Sequence, residues 1–328
     1  YYEDLLQQAK EDNGNDGFYR VEDSGRKTKN DDSLYGYRSA TIFSSLMNLD
    51  VSHLFQSLYM EGGKNFYCYN GASPLPSAMF SVKYMLSSNP VDESPLRTLV
   101  GSSNGNYLYR NNYCLPLGYM MSEKAIKGWE SSMLDRIGSL NSLAQQLGAK
   151  GDMLYPATCT QSQAAGDTTI DISEDGYYYA DYVTCNADSL TVSRDDGWTQ
   201  QYGKTTHRYL LDLGECKAGT KVHITNLNAE TIEYHVYRLN FKAMCTAYET
   251  LSEQTMSLEK MTDRRIVGSI DVRQAGRLIL SVPADEGWSL YVDGKKTKIK
   301  PFADALIGVH LKEGTHKIEL RYTTPGVQ

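Results

Sequence analysis

The chain has 328 residues, of which 41% are hydrophobic and 22% are charged, and its formal net charge is −7. This length is sufficient for two or three domains with cores of their own, and the negative charge argues against nucleic acid as a partner. No apolar run approaches the roughly 18 residues that a membrane-spanning helix needs. The chain opens without an initiator methionine or a signal segment, so we expect it to be part of a longer protein.

The first 150 residues combine helix and strand patterns. Short strands are predicted at 18–23 and 83–88, and helices are predicted at 50–60 and within 122–148, where apolar residues recur at helical spacing. We therefore assign residues 1–150 to an α+β module. The charged run EDSGRKTKNDDS, which overlaps the first of these strands, is expected to form a surface loop.

An internal repeat organises the rest of the chain. The segment that starts at Ile170 reads IDISEDGYYYADYVTCNADSLTV, and it aligns without a gap with IDVRQAGRLILSVPADEGWSLYV, which starts at Ile270. Short strands separated by turns that contain Gly and Asp are typical of antiparallel sandwiches and jelly rolls. We therefore predict a mostly-β α+β fold, in which the α+β module is followed by two tandem β-sandwiches at 151–254 and 255–328.

Two local patterns refine the repeated half. The first sandwich is expected to end in a helix, because four apolar residues lie four positions apart: Leu239, Ala243, Ala247 and Leu251. The segment GWSLYVDGKKTKIKPF at 287–302 predicts a hairpin with alternating faces, and Asp293 and Gly294 can supply the two positive φ angles of a type I′ turn. We expect the lysines that follow to form a solvated face rather than an anion site. Because they have no basic counterparts in the first copy, they are not expected to belong to an active site shared by both copies.

The sequence predicts no catalytic residue, no metal site and no cofactor. Six cysteines are spread along the chain without a C-x-x-C motif, which argues against zinc and leaves open either disulfides or isolated buried thiols. Neither a phosphate-binding Gly-rich loop nor a G-x-S-x-G nucleophile elbow occurs, and no carboxylate pair suited to glycoside hydrolysis stands out.

Tyrosine is unusually frequent, with 25 Tyr against 7 Phe. Tyrosine suits half-hydrated β surfaces, because the ring packs while the hydroxyl stays hydrated. The same side chain stacks on the apolar faces of sugars, so the bias fits either interpretation. Two Gly-Trp turns preceded by acids, at 195–198 and 285–288, are likewise read as turns with one packing Trp in each sandwich rather than as sugar sites.

The C-terminal run at 287–326 resembles the end of the bacterial YfhO-family membrane proteins, in which a G-W-x-x-x-V-D-G-K hairpin precedes a G-x-H-x-I-x-L-x-Y strand. Here the hairpin residues are Gly287, Trp288, Val292, Asp293, Gly294 and Lys295, and the strand residues are Gly314, His316, Ile318, Leu320 and Tyr322. The N-terminal half follows the family's order with FYRVE, GYRSATIFSSLMN, MEGGKNFYCYNGASPLPSAMFSVKYMLS and LYRNNYCLPLGYMMS. Six cysteines depart from the pattern of the family.

The resemblance implies a protein of the cell membrane, similar to lipid-linked-sugar glycosyltransferases of the GT-C type that are implicated in glycosylating cell-wall polymers such as teichoic acids. This region would lie on the extracytoplasmic side, next to the protein's own membrane-spanning region. In GT-C enzymes the catalytic acid lies near the start of the membrane region, so no catalytic residue is carried over. The resemblance therefore implies a non-catalytic region of a protein whose whole could be a glycosyltransferase.

Three functional hypotheses follow. The first is an accessory domain that orients a cell-wall glycan or teichoic-acid-type polymer, with binding residues sought where aromatic rings and amides cluster in the N-terminal module: Tyr67, Tyr69, Asn70, Tyr107, Tyr109 and Asn111. Each of these residues also has a plain interpretation as a turn or core residue. The second hypothesis is a structural or protein-interaction module of the cell envelope, and the third, least favoured, is a glycoside hydrolase.

Overall fold

The computed structural model describes residues 2–44 and 47–325, in which strands predominate over helices. The helices are α1 (Tyr2–Asn13), α2 (Asp31–Tyr35), α3 (Leu49–Ser57), α4 (Pro74–Met79), α5 (Glu123–Gly128), α6 (Arg136–Gln146) and α7 (Phe241–Ser252), with a 3-10 turn at Thr205–His207. The strands of the N-terminal half are β1 (Arg20–Asp23), β2 (Ile42–Phe43), β3 (Glu61–Gly62), β4 (Phe66–Cys68), β5 (Val82–Ser87), β6 (Arg97–Ser103), β7 (Asn106–Asn111) and β8 (Gly118–Met121). The predicted mostly-β α+β class is confirmed.

The repeated half contributes the remaining strands. Those of the first copy are β9 (Leu154–Pro156), β10 (Cys159–Ala164), β11 (Asp167–Ile172), β12 (Gly176–Tyr182), β13 (Ser189–Arg194), β14 (Thr199–Gly203), β15 (Leu211–Cys216), β16 (Lys221–Thr225) and β17 (Tyr234–Leu239). Those of the second copy are β18 (Ser257–Thr262), β19 (Arg265–Val272), β20 (Gly276–Pro283), β21 (Trp288–Val292), β22 (Lys295–Thr297), β23 (Leu306–Leu311) and β24 (Gly314–Tyr322).

The N-terminal module is built on a mixed sheet of order β1-β5-β7-β6, in which β1 runs parallel to β5 and the other neighbours are antiparallel. Helix α1 covers this sheet, because Leu5 and Ala9 are buried against Val21, Tyr84 and Leu108. A second core joins α3, α4, α6 and α7. The predicted strands near 18–23 and 83–88 correspond to β1 and β5, and both predicted helical regions contain helices.

The first copy of the repeat forms two sheets, of orders β10-β11-β16-β13-β14 and β15-β12-β17-β9. Alternate residues of the strands point inward, as a period of two requires. Side chains of both sheets share one core, which includes Ile170, Ile172, Tyr178, Ala180, Leu190, Val192, Leu211, Leu213, Val222 and Ile224. This arrangement is the one that a β-sandwich requires.

The second copy repeats the order of the larger sheet as β18-β19-β24-β21-β22, but its smaller sheet, β23-β20-β8, takes a strand from the first 150 residues. Tyr119 of β8 pairs with Ile279, as Tyr237 of β17 pairs with Tyr179 in the first copy. Each of these strands leads directly into a helix, α5 after β8 and α7 after β17. The predicted domain boundaries stay a prediction, but the second copy draws one of its strands from outside 255–328.

Both local predictions in the repeated half are confirmed, except that Leu239 ends β17 and lies outside the helix. In α7 the side chains of Ala243, Ala247 and Leu251 are buried, and the helix packs against α4 and α6 of the N-terminal module. The turn between β21 and β22 has φ angles of 51° at Asp293 and 78° at Gly294, the positive values that a type I′ hairpin turn needs.

Two buried arginines join the N-terminal module to the second sandwich. Arg20, with 9% of its surface exposed, donates hydrogen bonds to the Phe80 carbonyl (2.6 Å) and to the Ser281 hydroxyl (2.8 Å) and carbonyl (2.6 Å). Arg277 forms a two-pronged ion pair with Glu123 at 3.0 and 2.8 Å. Satisfied buried charges of this kind hold two surfaces in one register.

All six cysteines are free thiols, and Cys68, Cys185 and Cys216 are buried. Of the two interpretations open from the sequence, isolated thiols therefore describe this structure. No helix within residues 2–44 and 47–325 has the length and apolar character needed to cross a bilayer.

Candidate functional site

A cleft of about 560 Å³ lies between the N-terminal module and the first sandwich. The N-terminal module contributes the loop at 24–29, residues 69–72 and Arg97. The sandwich contributes aromatic and polar side chains from three strands and the turn between β13 and β14: Tyr177, Tyr179, Trp198, Tyr202 and Asp212. The volume falls within the range typical of small-molecule sites, roughly 300–1,000 Å³.

The base of the cleft is an Arg–Asp–Tyr cluster that connects the two modules. Nη1 of Arg97 lies 3.3 Å from Oδ2 of Asp212 and 3.0 Å from the Tyr177 hydroxyl, which donates to the same carboxylate oxygen at 2.8 Å. Burial opposes the charged guanidinium, but Tyr177 and Asp212 outweigh it and hold the pKa of Arg97 above its ordinary value. The arrangement presents a hydrogen-bond donor and an acceptor side by side.

The alternation of β12 explains why its tyrosines divide between two sites. Tyr177 and Tyr179 pack on the side of the N-terminal module, whereas Tyr178 and Tyr182 point into the sandwich core. Successive side chains of a strand face opposite ways, so the run GYYYADY supplies both surfaces at once. On β15 Asp212 likewise alternates with buried leucines of the core.

Tyr179 also lies at the base of the cleft, and its hydroxyl is not committed to a hydrogen bond within the described residues. Its side chain is 1% exposed, and its hydroxyl finds no hydrogen-bond partner among the described residues. Burial, together with the nearby carboxylate of Asp212, raises the pKa of Tyr179 above its ordinary value, so the group is a neutral donor. An unpaired buried hydroxyl is costly, and Tyr179 is one of the residues that line the cleft.

One wall of the cleft is a network of charged and amide side chains around the buried carboxylate of Glu61. Arg26 donates to Oδ1 of Asn70 at 2.8 Å, and Nδ2 of Asn70 donates to Oε2 of Glu61 at 2.8 Å. The Glu61 carboxylate, with no exposed surface, lies 3.0 Å from Nζ of Lys29 and 2.7 Å from Nδ1 of His207. Burial opposes its ionisation, but Lys29 and His207 outweigh it and lower the pKa of Glu61.

Of the six predicted binding residues, the structure brings Tyr69 and Asn70 into the cleft. Asn111 lies directly behind them, since Nδ2 donates to the Tyr69 hydroxyl at 3.3 Å and Oδ1 accepts from Nε of Arg97 at 3.3 Å. Asn111 can therefore position cleft residues without lining the cleft.

The other three predicted residues lie elsewhere in the N-terminal module. Tyr67 packs in the core against Phe55, with ring centroids 4.7 Å apart, and burial raises its pKa to about 12. Tyr107 and Tyr109 are neighbours on one face of β7, and the Tyr109 hydroxyl accepts a hydrogen bond from the backbone N–H of Val91 at 3.0 Å. None of the three appears among the cleft-lining residues.

Sequence reasoning missed most of the cleft because half of it comes from the first sandwich. The tyrosine run of β12 and the Gly-Trp turn that contains Trp198 were the available signals, and both also fit simple packing. The charged run after the first strand was expected to be a surface loop. Residues 24–30 are largely exposed as expected, but Glu22 is buried in β1, and Arg26 and Lys29 line the cleft.

Comparisons with known proteins place the chain among bacterial membrane proteins. The family described as bacterial membrane protein YfhO matches residues 1–328. An uncharacterized YfhO protein of Bacillus subtilis (strain 168) is 21% identical over 340 residues, covering 89% of this chain and 39% of the relative. The chain thus spans well under half the length of that relative.

Similarity to solved structures is slight. A conserved protein of unknown function from Pseudomonas aeruginosa PAO1 is 10% identical, with a TM-score of 0.18 over 51% of this chain and 83% of that one. A GH2 β-galacturonidase from Eisenbergiella tayi, bound to galacturonate, is 7% identical, with a TM-score of 0.19 over 53% of this chain and 36% of that one. These TM-scores are too low to indicate a shared fold. The match of the family over the full length, by contrast, is decisive: the chain belongs to the YfhO family of bacterial membrane proteins.

Proposed function

We propose that this region lies on the extracytoplasmic side of a YfhO-family membrane protein and binds a cell-wall glycan acceptor in the cleft between the N-terminal module and the first sandwich. In this role it positions the acceptor, for example a teichoic-acid-type polymer, for glycosyl transfer by the membrane-spanning part of the protein. The region itself contributes binding rather than catalysis.

The observation that carries the proposal is the composition of the cleft. Aromatic side chains, an Arg–carboxylate pair and amides converge in one cavity, namely Tyr69, Asn70, Arg97, Tyr177, Trp198, Tyr202 and Asp212. Aromatic rings stack on the apolar faces of sugars, and side chains that donate and accept hydrogen bonds suit sugar hydroxyls. Membership of a membrane-protein family supports a cell-surface polymer as the ligand.

Two tryptophans that follow similar acid-Gly turns, one in each copy of the repeat, allow a controlled test. Trp198 lines the cleft in the first sandwich, whereas Trp288, which follows the related acid-Gly turn in the second sandwich, packs against Tyr322 with ring centroids 5.0 Å apart. We would measure binding of the chain to an array of cell-wall glycans and purified teichoic acids. We expect saturable binding. Trp198→Leu should weaken it about tenfold or more, and Trp288→Leu should leave it unchanged.

Two outcomes would contradict the proposal. One is the absence of binding across the panel by a chain whose circular dichroism shows a folded protein. The other is binding that both tryptophan substitutions weaken equally, because the ligand would then not occupy the cleft.

A further inference from the structure

The carboxylates that line the cleft are all paired with cations of the chain. There are three of these pairs in the described structure: Asp92 with Arg194 (2.7 Å), Asp188 with Lys204 (3.2 Å) and Asp212 with Arg97 (3.3 Å). The carboxylate of Asp212 is further fixed by the backbone N–H of Gly214 at 2.8 Å. The acidic groups of the cleft are therefore already neutralised.

The cations that line the cleft are committed in the same way. Besides Arg97 and Lys204, Arg26 lies 3.4 Å from Glu22, and Lys29 lies 3.0 Å from Glu61. Lys27, on the exposed rim, is the one lining cation to which residues 2–44 and 47–325 supply no carboxylate within 4.0 Å. The interior of the cleft thus holds charges without a surplus of either sign.

Because the charges of the cleft are paired with one another, they disfavour an anionic ligand. A phosphate or carboxylate entering the cleft would have to displace a carboxylate of the chain from its cation, or lose its own hydration without gaining an uncommitted cation. Anionic ligands are instead usually bound by cations that are free to pair with them. Among the described residues that line the cleft, such an ion is found only at the rim, so a charged group would bind poorly at the base.

An uncharged sugar fits the same groups well. A hydroxyl both donates and accepts hydrogen bonds, and at the base Arg97 can donate while Asp212 accepts. The Tyr177 hydroxyl, which contacts both groups, adds a third polar atom beside them. Aromatic side chains such as Trp198 and Tyr202 supply apolar contact without charge.

We infer that the cleft takes an uncharged, hydroxyl-rich sugar unit in preference to a phosphate- or carboxylate-bearing one, an inference that rests on the proposed glycan-binding function. The polymer that carries the unit can be charged elsewhere, since only the unit at the base meets the paired groups.

The experiment compares matched probes by titration calorimetry with the full chain. The probes are neutral hexose and N-acetylhexosamine oligosaccharides, uronate oligosaccharides of the same length, and poly(glycerol phosphate), each at low and high salt. We expect the neutral probes to bind at least about tenfold more tightly than the anionic ones, and with little salt dependence. Tighter, salt-sensitive binding of the anionic probes would overturn the inference and leave the glycan-binding function intact, whereas no binding of any probe by the folded chain would overturn both.

One isosteric variant tests whether the pairing of Arg97 with Asp212 causes the preference for uncharged sugars. Asp212→Asn leaves the Arg97 guanidinium without its carboxylate, so we expect affinity for the neutral probe to fall about tenfold and salt-sensitive binding of uronate probes to appear. The matched control is Asp171→Asn, which also removes one negative charge from an ion pair, here with Lys221 outside the cleft. It should alter neither the affinity for the neutral probe nor the binding of uronate probes. Unchanged selectivity in Asp212→Asn would overturn the inference.

Discussion

Arg97 and Asp212 come from different modules and meet at the base of the cleft, with Nη1 and Oδ2 3.3 Å apart. The Tyr177 hydroxyl contacts both groups, at 3.0 and 2.8 Å. The side chain of Arg97 is 13% exposed and that of Asp212 is 23% exposed. The pair therefore has two effects, since it ties the N-terminal module to the first sandwich and sets the charge at the base of the cleft.

Removing one member of this pair should destabilise the chain. Arg97→Ala leaves Asp212 largely buried without its cation, so we expect the free energy of unfolding to fall by about 3 kcal/mol. Arg97→Lys should recover little of the stability that Arg97→Ala loses, because an ammonium cannot contact Asn111, Tyr177 and Asp212 together as the guanidinium does. Urea denaturation of the variants measures these differences.

The double variant Arg97→Ala with Asp212→Ala isolates the coupling between the two residues. Its destabilisation should be smaller than the sum of the single effects by at least about 1 kcal/mol. Arg265→Ala, which breaks a more exposed ion pair with Glu319, serves as the control and should cost less than about 1 kcal/mol. Additive single effects would contradict a direct interaction.

The sequence allowed the repeated sheets to be predicted, because their strands carry period-two alternation and their turns carry Gly and Asp. The Asp293-Gly294 turn and the buried face of α7 follow from such local signals. The cleft does not follow from local signals, because its base forms where β6 of one module meets β12 and β15 of another. Contacts of that kind leave no period in the sequence, and a tyrosine such as Tyr177 looks the same whether it fills a core or lines a cavity.

The fold makes a specific prediction about fragments. Residues 255–328 lack β8, whose Met120 is buried in the core of the second sandwich. Without it β20 becomes an edge strand with the apolar side chains of Leu278 and Leu280 uncovered, so we expect this fragment to expose apolar surface and to unfold without cooperativity. Dye binding and thermal circular dichroism measure both properties.

Residues 151–240 provide the comparison for this fragment, because they contain β9 to β17 and hence every strand of the two sheets of the first sandwich. We expect that fragment to bind less dye and to melt more sharply. A compact, cooperatively melting fragment of residues 255–328 would show that β8 is dispensable.

The cysteines give a chemical prediction. All six are free, and burial raises the pKa of Cys114 and of Cys216 to about 12. Since the thiolate is the reactive form, the Cys114 and Cys216 thiols of the native protein should react slowly with a reagent such as DTNB at mildly alkaline pH, and six thiols should react once the chain is unfolded without reductant. A count below six would mean that disulfides form in the isolated protein.

The ion pair between Glu123 and Arg277 should be visible in the pH dependence of stability. Hydrogen bonding to Arg277 is the largest influence on Glu123, and with Lys300 nearby it lowers the pKa of Glu123 from 4.5 to about 2 in the folded chain. A carboxyl whose pKa is depressed by folding stabilises the fold above its unfolded value and loses that contribution as the pH falls towards the folded one. We therefore expect the melting temperature of the native protein to exceed that of Glu123→Gln above about pH 4.5, and the difference to shrink towards zero near pH 2. Glu313→Gln, at an exposed turn, should differ little from the native protein throughout, and a gap for Glu123→Gln that stays constant across this range would contradict the assigned role of the ion pair.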